Sequence, residues 1–127
     1  MNHQITPTNI APPAANYAHA VLSEAPSRLL HTAGVVPVRP DGIVPDDLAA
    51  QADIVWSNIG AILTEAGMGS ADVVSITTYV VAGETLGPVM AARDRFMDGS
   101  LAASTLVTVP ALARPEWRVE IAVVASR

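Results

Sequence analysis

One short segment constrains the fold of this chain more than any other. Val73–Val81 reads Val-Val-Ser-Ile-Thr-Thr-Tyr-Val-Val, which is dense in β-branched residues and predicts a strand. Its apolar residues stand at both odd and even positions, and successive side chains of a strand point to opposite faces of a sheet. Such a strand needs cover on both of its faces. Helices can pack on one face of the sheet, and the other face must be buried by something other than these helices.

An amphipathic helix precedes this strand. Asp46 or Asp47 can cap its start, where a side-chain oxygen meets free backbone N–H groups. The helix begins at Leu48 and ends at Gly67, a position that favours a left-handed residue. Gly60, inside the helix, predicts close packing of the helix on a sheet. The apolar face consists of Leu48, Ala52, Val55, Ile59, Ile62, Leu63 and Ala66.

The remaining elements are shorter. Pro26 and Ser27 are turn formers, and they predict that the first two strands form a hairpin. Asp98-Gly99 predicts the end of the second helix. In chain order these elements are an extended lead-in over 1–16, strands Tyr17–Ser23 and Arg28–Thr32, a loop over 37–47, a helix over Val89–Met97, and strands Ser104–Val109 and Arg118–Ala125.

The order of elements is therefore β-β-α-β-α-β-β, in a single domain that spans residues 1–127. This order predicts the α+β class, with one mixed sheet and both helices on one of its faces. In the last strand, Val119, Ile121 and Val123 can face the helices, but the opposite positions are also mostly small or apolar. A sheet face of this kind would expose a large apolar patch. Burial against further copies of the chain predicts a closed oligomer, without giving its number of subunits.

Composition and charge exclude several classes of function. The net charge is −5, and the seven basic residues are scattered, so the basic stripe of a nucleic-acid-binding protein is absent. Arg93 and Arg95 alternate with Asp94 and Asp98, which predicts a solvated helix face. Because the chain has no cysteine, it can form neither a disulfide nor a thiolate site, and its three histidines lack the spacing of metal ligands.

The N-terminal sequence and the hydropathy pattern predict a cytoplasmic protein with no membrane partner. The segment Met-Asn-His-Gln-Ile-Thr-Pro has neither the basic nor the apolar region of a signal peptide. No apolar run approaches the ~18 residues of a membrane span.

Six segments, in the same order, resemble the Rid (YjgF-like) family, and the resemblance extends from Ile10 to Ala125. Asn16–Ala20 is similar to the family's Pro-Tyr-Ser-Gln-Ala, and His31–Gly34 to its Val-Ser-Gly. Gln51–Gly67 and Asp72–Val80 resemble a helix of the family and the strand that follows it. Ala102–Val107 stands at the place of Pro-Ala-Arg-Ser/Thr, and Val119–Ile121 is similar to Val-Glu-Ile-Glu. The resemblance implies a chorismate-mutase-like, ferredoxin-like fold. It also implies a homotrimer with the sheets inside and three clefts between adjacent subunits.

The same resemblance implies an activity and raises a difficulty. Deaminases of the family hydrolyse enamines and imines such as 2-aminoacrylate, using an arginine that binds the substrate carboxylate and a glutamate that positions water. The arginine position falls on Ser104, which cannot supply the charge. Activity on 2-aminoacrylate is therefore expected to be weak or absent. Arg114 is an alternative cation, although its Leu-Ala-Arg-Pro context predicts a solvent-facing loop.

The candidate site carried over from the family has five members. Glu120 is the candidate catalytic residue, and its alternative is a surface carboxylate on a terminal strand. The candidate ligand-binding residues are Tyr17, Thr32, Gly34 and Ser104. Alternatively, Tyr17 is a packing residue, Thr32 and Gly34 belong to an ordinary strand end, and Ser104 makes no ligand contact. Trp56 and Trp117 are interpreted as packing residues.

Two functions follow from this candidate site. The first is hydrolysis or deamination of an imine or enamine other than 2-aminoacrylate, in intersubunit clefts and without a metal or organic cofactor. The second is a non-catalytic trimer that binds small molecules or acts like a chaperone.

Overall fold

The computed structural model describes all residues, 1–127, and has eight strands and helices with a short 3-10 turn at Ser70–Asp72 before β4. In chain order they are β1 (Asn2–Ile5), β2 (Ala20–Ser23), β3 (Leu29–His31), α1 (Leu48–Glu65), β4 (Val73–Val81), α2 (Gly87–Met97), β5 (Ala103–Val109) and β6 (Val119–Ser126). The main sheet has four strands in the order β3-β6-β4-β5. Only the β4–β5 pair is parallel. The predicted α+β class, with a mixed sheet and two helices, is confirmed. Neither helix combines the length and hydrophobicity that a membrane crossing requires.

The predicted hairpin between the first two strands is wrong. β2 pairs instead with β1, inside the segment predicted as an extended lead-in, and these two strands form a separate sheet. β3 pairs with β6. The turn predicted from Pro26 and Ser27 leads the chain from one sheet to the other, because the backbone N–H and the hydroxyl of Ser27 both donate to the carbonyl of Arg127, just after β6. A turn signal specifies a change of direction but not the strand that receives the chain.

The first long helix lies where the sequence predicts it. The Asp47 side chain accepts a hydrogen bond from the backbone N–H of Ala50 at 3.1 Å, and Gly67 has a φ of 69°. The prediction for Gly60 is wrong in its partner, because a Cβ atom there would lie 3.3 Å from the Phe96 ring of α2, not against the sheet. Trp56 also stacks on Phe96, with ring centroids 4.7 Å apart, and is a packing residue as predicted.

The core lies between the helices and one face of the main sheet. Val119, Ile121 and Val123 of β6 are at most 2% exposed, as the alternation in that strand predicts. The opposite face has only half-buried or exposed side chains in the single chain. We call it the open face, and it comprises Ser75, Thr77 and Tyr79 of β4, Thr105 and Val107 of β5, and Glu120, Ala122 and Val124 of β6.

A buried glutamine holds the start of β6 in place. Gln51 of α1 is 1% exposed, and its amide nitrogen donates to the carbonyls of Pro45 and Glu116 at 2.8 and 2.9 Å. Its side-chain oxygen accepts from the backbone N–H of Arg118 at 2.9 Å. All three backbone groups belong to loops, where no ladder partner is present. The glutamine therefore joins two loops to the core directly before the strand that carries Glu120.

Candidate functional site

Glu120 projects from β6 onto the open face. In the register of the sheet it stands opposite Tyr79 of β4, and its side chain is half-buried. The arginine–carboxylate pairs of the chain involve other acids, namely Asp94, Asp53 and Glu84. The Glu120 carboxylate therefore has no cation to neutralise it within one chain. A half-buried carboxylate without an ion-pair partner is free to accept a proton or a hydrogen bond from a ligand.

Gly34 lies directly against this carboxylate. A Cβ atom at position 34 would be 2.7 Å from Cδ of Glu120, so a side chain here would force the Glu120 side chain to move. The close approach arises from a bulge, because His31 pairs with Val124 and Val35 pairs with Ile121. The chain advances by four residues between the first pair and the second on the side of β3, but by only three in β6.

Thr32 stabilises this bulge. Its backbone N–H donates to the carbonyl of Val123, and its hydroxyl oxygen accepts from the Val123 N–H, both at 3.0 Å. The hydroxyl in turn donates to the carbonyl of Ala33 at 2.7 Å. The Thr32 side chain is thus engaged with the backbone of its own chain. Thr32, Gly34 and Glu120 form one group of predicted site residues, at the β3–β6 side of the sheet.

The other two predicted site residues lie at the opposite edge. Ala18 donates its N–H to the carbonyl of Ala102 at 2.9 Å and bridges to Ala103, which places Tyr17 beside the start of β5. Ser104 is the second residue of β5, the edge strand, and β4 separates β5 from β6. Within one chain, the five predicted residues therefore do not form one site.

Ser104 and Glu120 also point to different faces. Ser104 stands opposite Ile76, which is 1% exposed in the core, so the serine faces the helices. Glu120 shares the open face with Tyr79 and Val107. The sequence alone could not reveal this difference, because the register between neighbouring strands decides which face each side chain joins.

A buried arginine approaches Ser104 from α2. Arg93 is 7% exposed, so the predicted solvated helix face is wrong for this residue, although Arg95 is exposed and pairs with Asp53. Nη1 of Arg93 donates to Oγ of Ser104 at 3.4 Å. The spacing could have indicated its burial, since Arg93 is four residues from both Val89 and Met97, which are buried on one helix face.

Asp94 and Asn16 complete the surroundings of this arginine. Nε of Arg93 donates to Oδ1 of Asp94 at 3.1 Å, and Nη2 lies equally close to the same oxygen without the geometry of a hydrogen bond. The other carboxylate oxygen, Oδ2, accepts from the Asn16 amide at 3.0 Å. A pocket of about 260 Å³ adjoins Asn16 and Asp94, and its other lining residues are Met97, Gly99, Ser100 and Leu101.

The alternative cation, Arg114, lies elsewhere. Its guanidinium carbon is 5.7 Å from the ring centroid of Trp117, in the loop before β6, and the residue is exposed as predicted. Arg93, rather than Arg114, is the arginine that reaches Ser104.

Comparison with known proteins gives consistent matches over most of the chain. The model of the family described as "Endoribonuclease L-PSP" matches residues 8–127. A RutC family protein of Haemophilus influenzae is 38% identical over 98 residues, which are 76% of this chain and 73% of that protein.

Solved structures share the fold. A Yersinia pestis protein, YyfB, described as of unknown function in the conserved Rid protein family, is 34% identical with a TM-score of 0.90, covering 99% of this chain and 98% of that one. The YjgF gene product of E. coli is 28% identical with a TM-score of 0.73, covering 98% of both chains. E. coli TdcF with bound serine shares the fold, with a TM-score of 0.73 at 22% identity and 98% coverage of both chains.

Proposed function

Because this chain belongs to the Rid (YjgF-like) family, we propose that it binds a small metabolite in clefts between the subunits of a homotrimer. There it hydrolyses or deaminates an imine or enamine other than 2-aminoacrylate. The observation that carries the proposal is the Glu120 carboxylate, which is half-buried, has no cation beside it and lies against Gly34. TdcF, a solved protein that shares the fold, holds a bound serine, which is a small metabolite.

The chemistry needs one water molecule and one group that directs it. Glu120 accepts a hydrogen bond from the water and takes its proton as the oxygen adds to the imine carbon. The resulting carbinolamine receives a proton on nitrogen, and its C–N bond breaks as the carbonyl forms. Imine and water thus become a carbonyl compound and ammonia, and an enamine enters the same sequence after protonation on carbon. Because the Glu120 carboxylate lies against Gly34, it can adopt fewer orientations.

The position of the two groups of site residues supports a cleft between copies. Thr32, Gly34 and Glu120 lie at the β3–β6 side, and Tyr17 and Ser104 at the β5 edge. Two copies that meet through these parts of the sheet would bring the groups together, and a ring of copies would cover the open face. The number three comes from the family resemblance.

Ribonuclease activity, which the family description names, has less support in this chain. Its net charge is −5, and three of its seven basic side chains, Arg93, Arg95 and Arg118, are paired with carboxylates. Binding to a phosphate backbone requires cations that are free to displace counterions.

The experiment compares imine hydrolysis by the wild-type protein and by Glu120→Gln. An amino-acid oxidase generates a panel of 2-imino acids, and a flavin-dependent amine oxidase generates uncharged imines from amines. The formation of the carbonyl product is followed with time. We expect acceleration for at least one imine, and a loss of roughly 100-fold in Glu120→Gln, which keeps the shape but cannot take the proton. Glu116→Gln, an exposed acid in the loop before β6, is the control.

An unchanged rate in Glu120→Gln would contradict the proposal. If no imine is hydrolysed faster than in buffer while a small ligand still binds, the protein is a non-catalytic binding trimer.

A further inference from the structure

We propose that Arg93 of α2, rather than a residue of β5, supplies the cation that binds the carboxylate of the ligand. This rests on the proposed function, since it assigns the acid-binding part of the same cleft. Arg93 reaches the hydroxyl of Ser104, at the start of β5, from the helix side. The ligand class is a small organic acid, with its carboxylate at the β5 edge and its carbonyl or imine carbon toward Glu120 of the adjoining copy.

The hydrogen bonding of Arg93 is incomplete. A guanidinium has five N–H donors, and the chain supplies acceptors for two of them, Asp94 Oδ1 and Ser104 Oγ, the second at the long distance of 3.4 Å. Nη2 is buried and lies 3.1 Å from Asp94 Oδ1, but without the geometry of a hydrogen bond. The side chain as a whole is only 8% exposed. Because a buried donor without an acceptor is costly, these N–H groups favour an oxygen ligand.

Ser104 suits this arrangement better than an arginine would. Its hydroxyl oxygen accepts from Arg93, which leaves its own O–H free to donate to a ligand oxygen. A second guanidinium at position 104 would face Arg93 as a like charge. The serine is half-buried in β5, the edge strand of the sheet, and in our proposal the carboxylate reaches the pair across this edge.

Asp94 determines how strongly this cation can act. One of its oxygens lies 3.1 Å from both Nε and Nη2 of Arg93, and the other accepts from Asn16. The carboxylate of Asp94 therefore neutralises part of the arginine charge and competes with a ligand acid. We expect weak binding of small acids in the wild-type protein, and tighter binding once the charge of Asp94 is removed.

The test uses calorimetry with 2-oxobutanoate and its uncharged amide as probes. The wild-type protein should bind the acid at least about tenfold more tightly than the amide, as a charged pair requires. In Arg93→Gln the acid should lose this advantage while the amide binds as before. Arg95→Gln removes an exposed arginine two residues further along the same helix and should leave both affinities unchanged. Equal binding of acid and amide by the wild-type protein, or an acid affinity that survives in a folded Arg93→Gln, would overturn the proposal.

A second variant keeps the test decisive if Arg93→Gln does not fold. Asp94→Asn is nearly isosteric and carries no charge, and its one amide oxygen can accept from either Asn16 or Arg93. A purely structural role of the Arg93–Asp94 pair predicts lower stability and no gain in affinity. Our proposal predicts that 2-oxobutanoate binds several-fold more tightly to Asp94→Asn, with no change for the amide, and an unchanged acid affinity would overturn it.

The Glu120→Gln variant distinguishes a failure of this inference from a failure of the proposed function. If it abolishes hydrolysis while acid binding remains sensitive to Arg93, both proposals stand. If hydrolysis depends on Glu120 while acid binding is indifferent to Arg93 and Asp94, only the present inference fails.

Discussion

The carboxylate of Glu120 occupies the space that a side chain at position 34 would need. A Cβ atom there would lie 2.7 Å from Cδ and 3.0 Å from Cγ of Glu120. Gly34 has an ordinary backbone conformation, because its φ is not in the left-handed region. The glycine is therefore required by its neighbour and not by its own dihedral angles, and the pair can be separated by mutation.

Gly34→Ala should move the Glu120 carboxylate away from its position. The end of that side chain is half-buried and can rotate, so we expect a loss of stability of about 1–3 kcal/mol, typical of overpacking. Imine hydrolysis should fall by roughly 100-fold, since displacement of a catalytic group by about 1 Å has this effect. Urea denaturation and initial rates measure the two quantities. In a Glu120→Ala background the same alanine should cost little stability, and an equal cost in both backgrounds would show that the two residues do not interact.

We expect the protein to form an oligomer through its open face. Light scattering is expected to give about three times the mass of one chain, because this face presents half-buried apolar side chains that need cover. Ala122→Arg places a charge in the middle of the open face and should shift the protein to monomers. Ala91→Arg, on an exposed side of α2, is the matched control and should leave the assembly intact. A monodisperse wild-type monomer at micromolar concentration would refute the trimer and the cleft together.

Ser104→Arg tests the prediction that Ser104 occupies the place of the family's carboxylate-binding arginine. The wild-type protein should leave the decay of 2-aminoacrylate close to its uncatalysed rate, because position 104 carries no charge and Asp94 pairs with Arg93. The single variant should be destabilised, since it places two guanidinium groups side by side. Ser104→Arg/Arg93→Gln removes this repulsion and should accelerate the decay of 2-aminoacrylate, and the gain should disappear when Glu120→Ala is added. A stable, trimeric double variant without any gain would favour a non-catalytic binding protein.

Gln51→Leu should destabilise the start of β6. The leucine preserves volume but leaves the carbonyls of Pro45 and Glu116 and the N–H of Arg118 without their partner. We expect a loss of about 2–4 kcal/mol in the free energy of unfolding, measured with urea. Gln4→Leu, which alters an exposed glutamine, should change it by less than about 0.5 kcal/mol. A small effect at both positions would mean that water replaces the bonds of the buried amide.

The amino-acid sequence by itself determined the elements whose signals are local. Val73–Val81 was predicted to the residue, because β-branched residues fill it from end to end. The Asp47 cap, the left-handed Gly67 and the inward side chains of β6 follow from hydrogen bonding, backbone freedom and alternation within one element. The family resemblance also predicted Tyr17, Gly34 and Glu120 as site residues without a structure, and this remains a prediction.

Only the tertiary structure decided which elements meet. β2 pairs with β1 rather than with β3, and Gly60 packs on Phe96 rather than on the sheet, because pairing depends on distant residues that compete for the same surface. The strand register placed Ser104 and Glu120 on opposite faces, since a shift of one residue reverses every side chain. Helix packing buried Arg93, which the sequence predicted as a surface charge beside Asp94, and brought its guanidinium to Ser104. Local pattern specifies each element, whereas the position of a charge depends on the packing of one element against another.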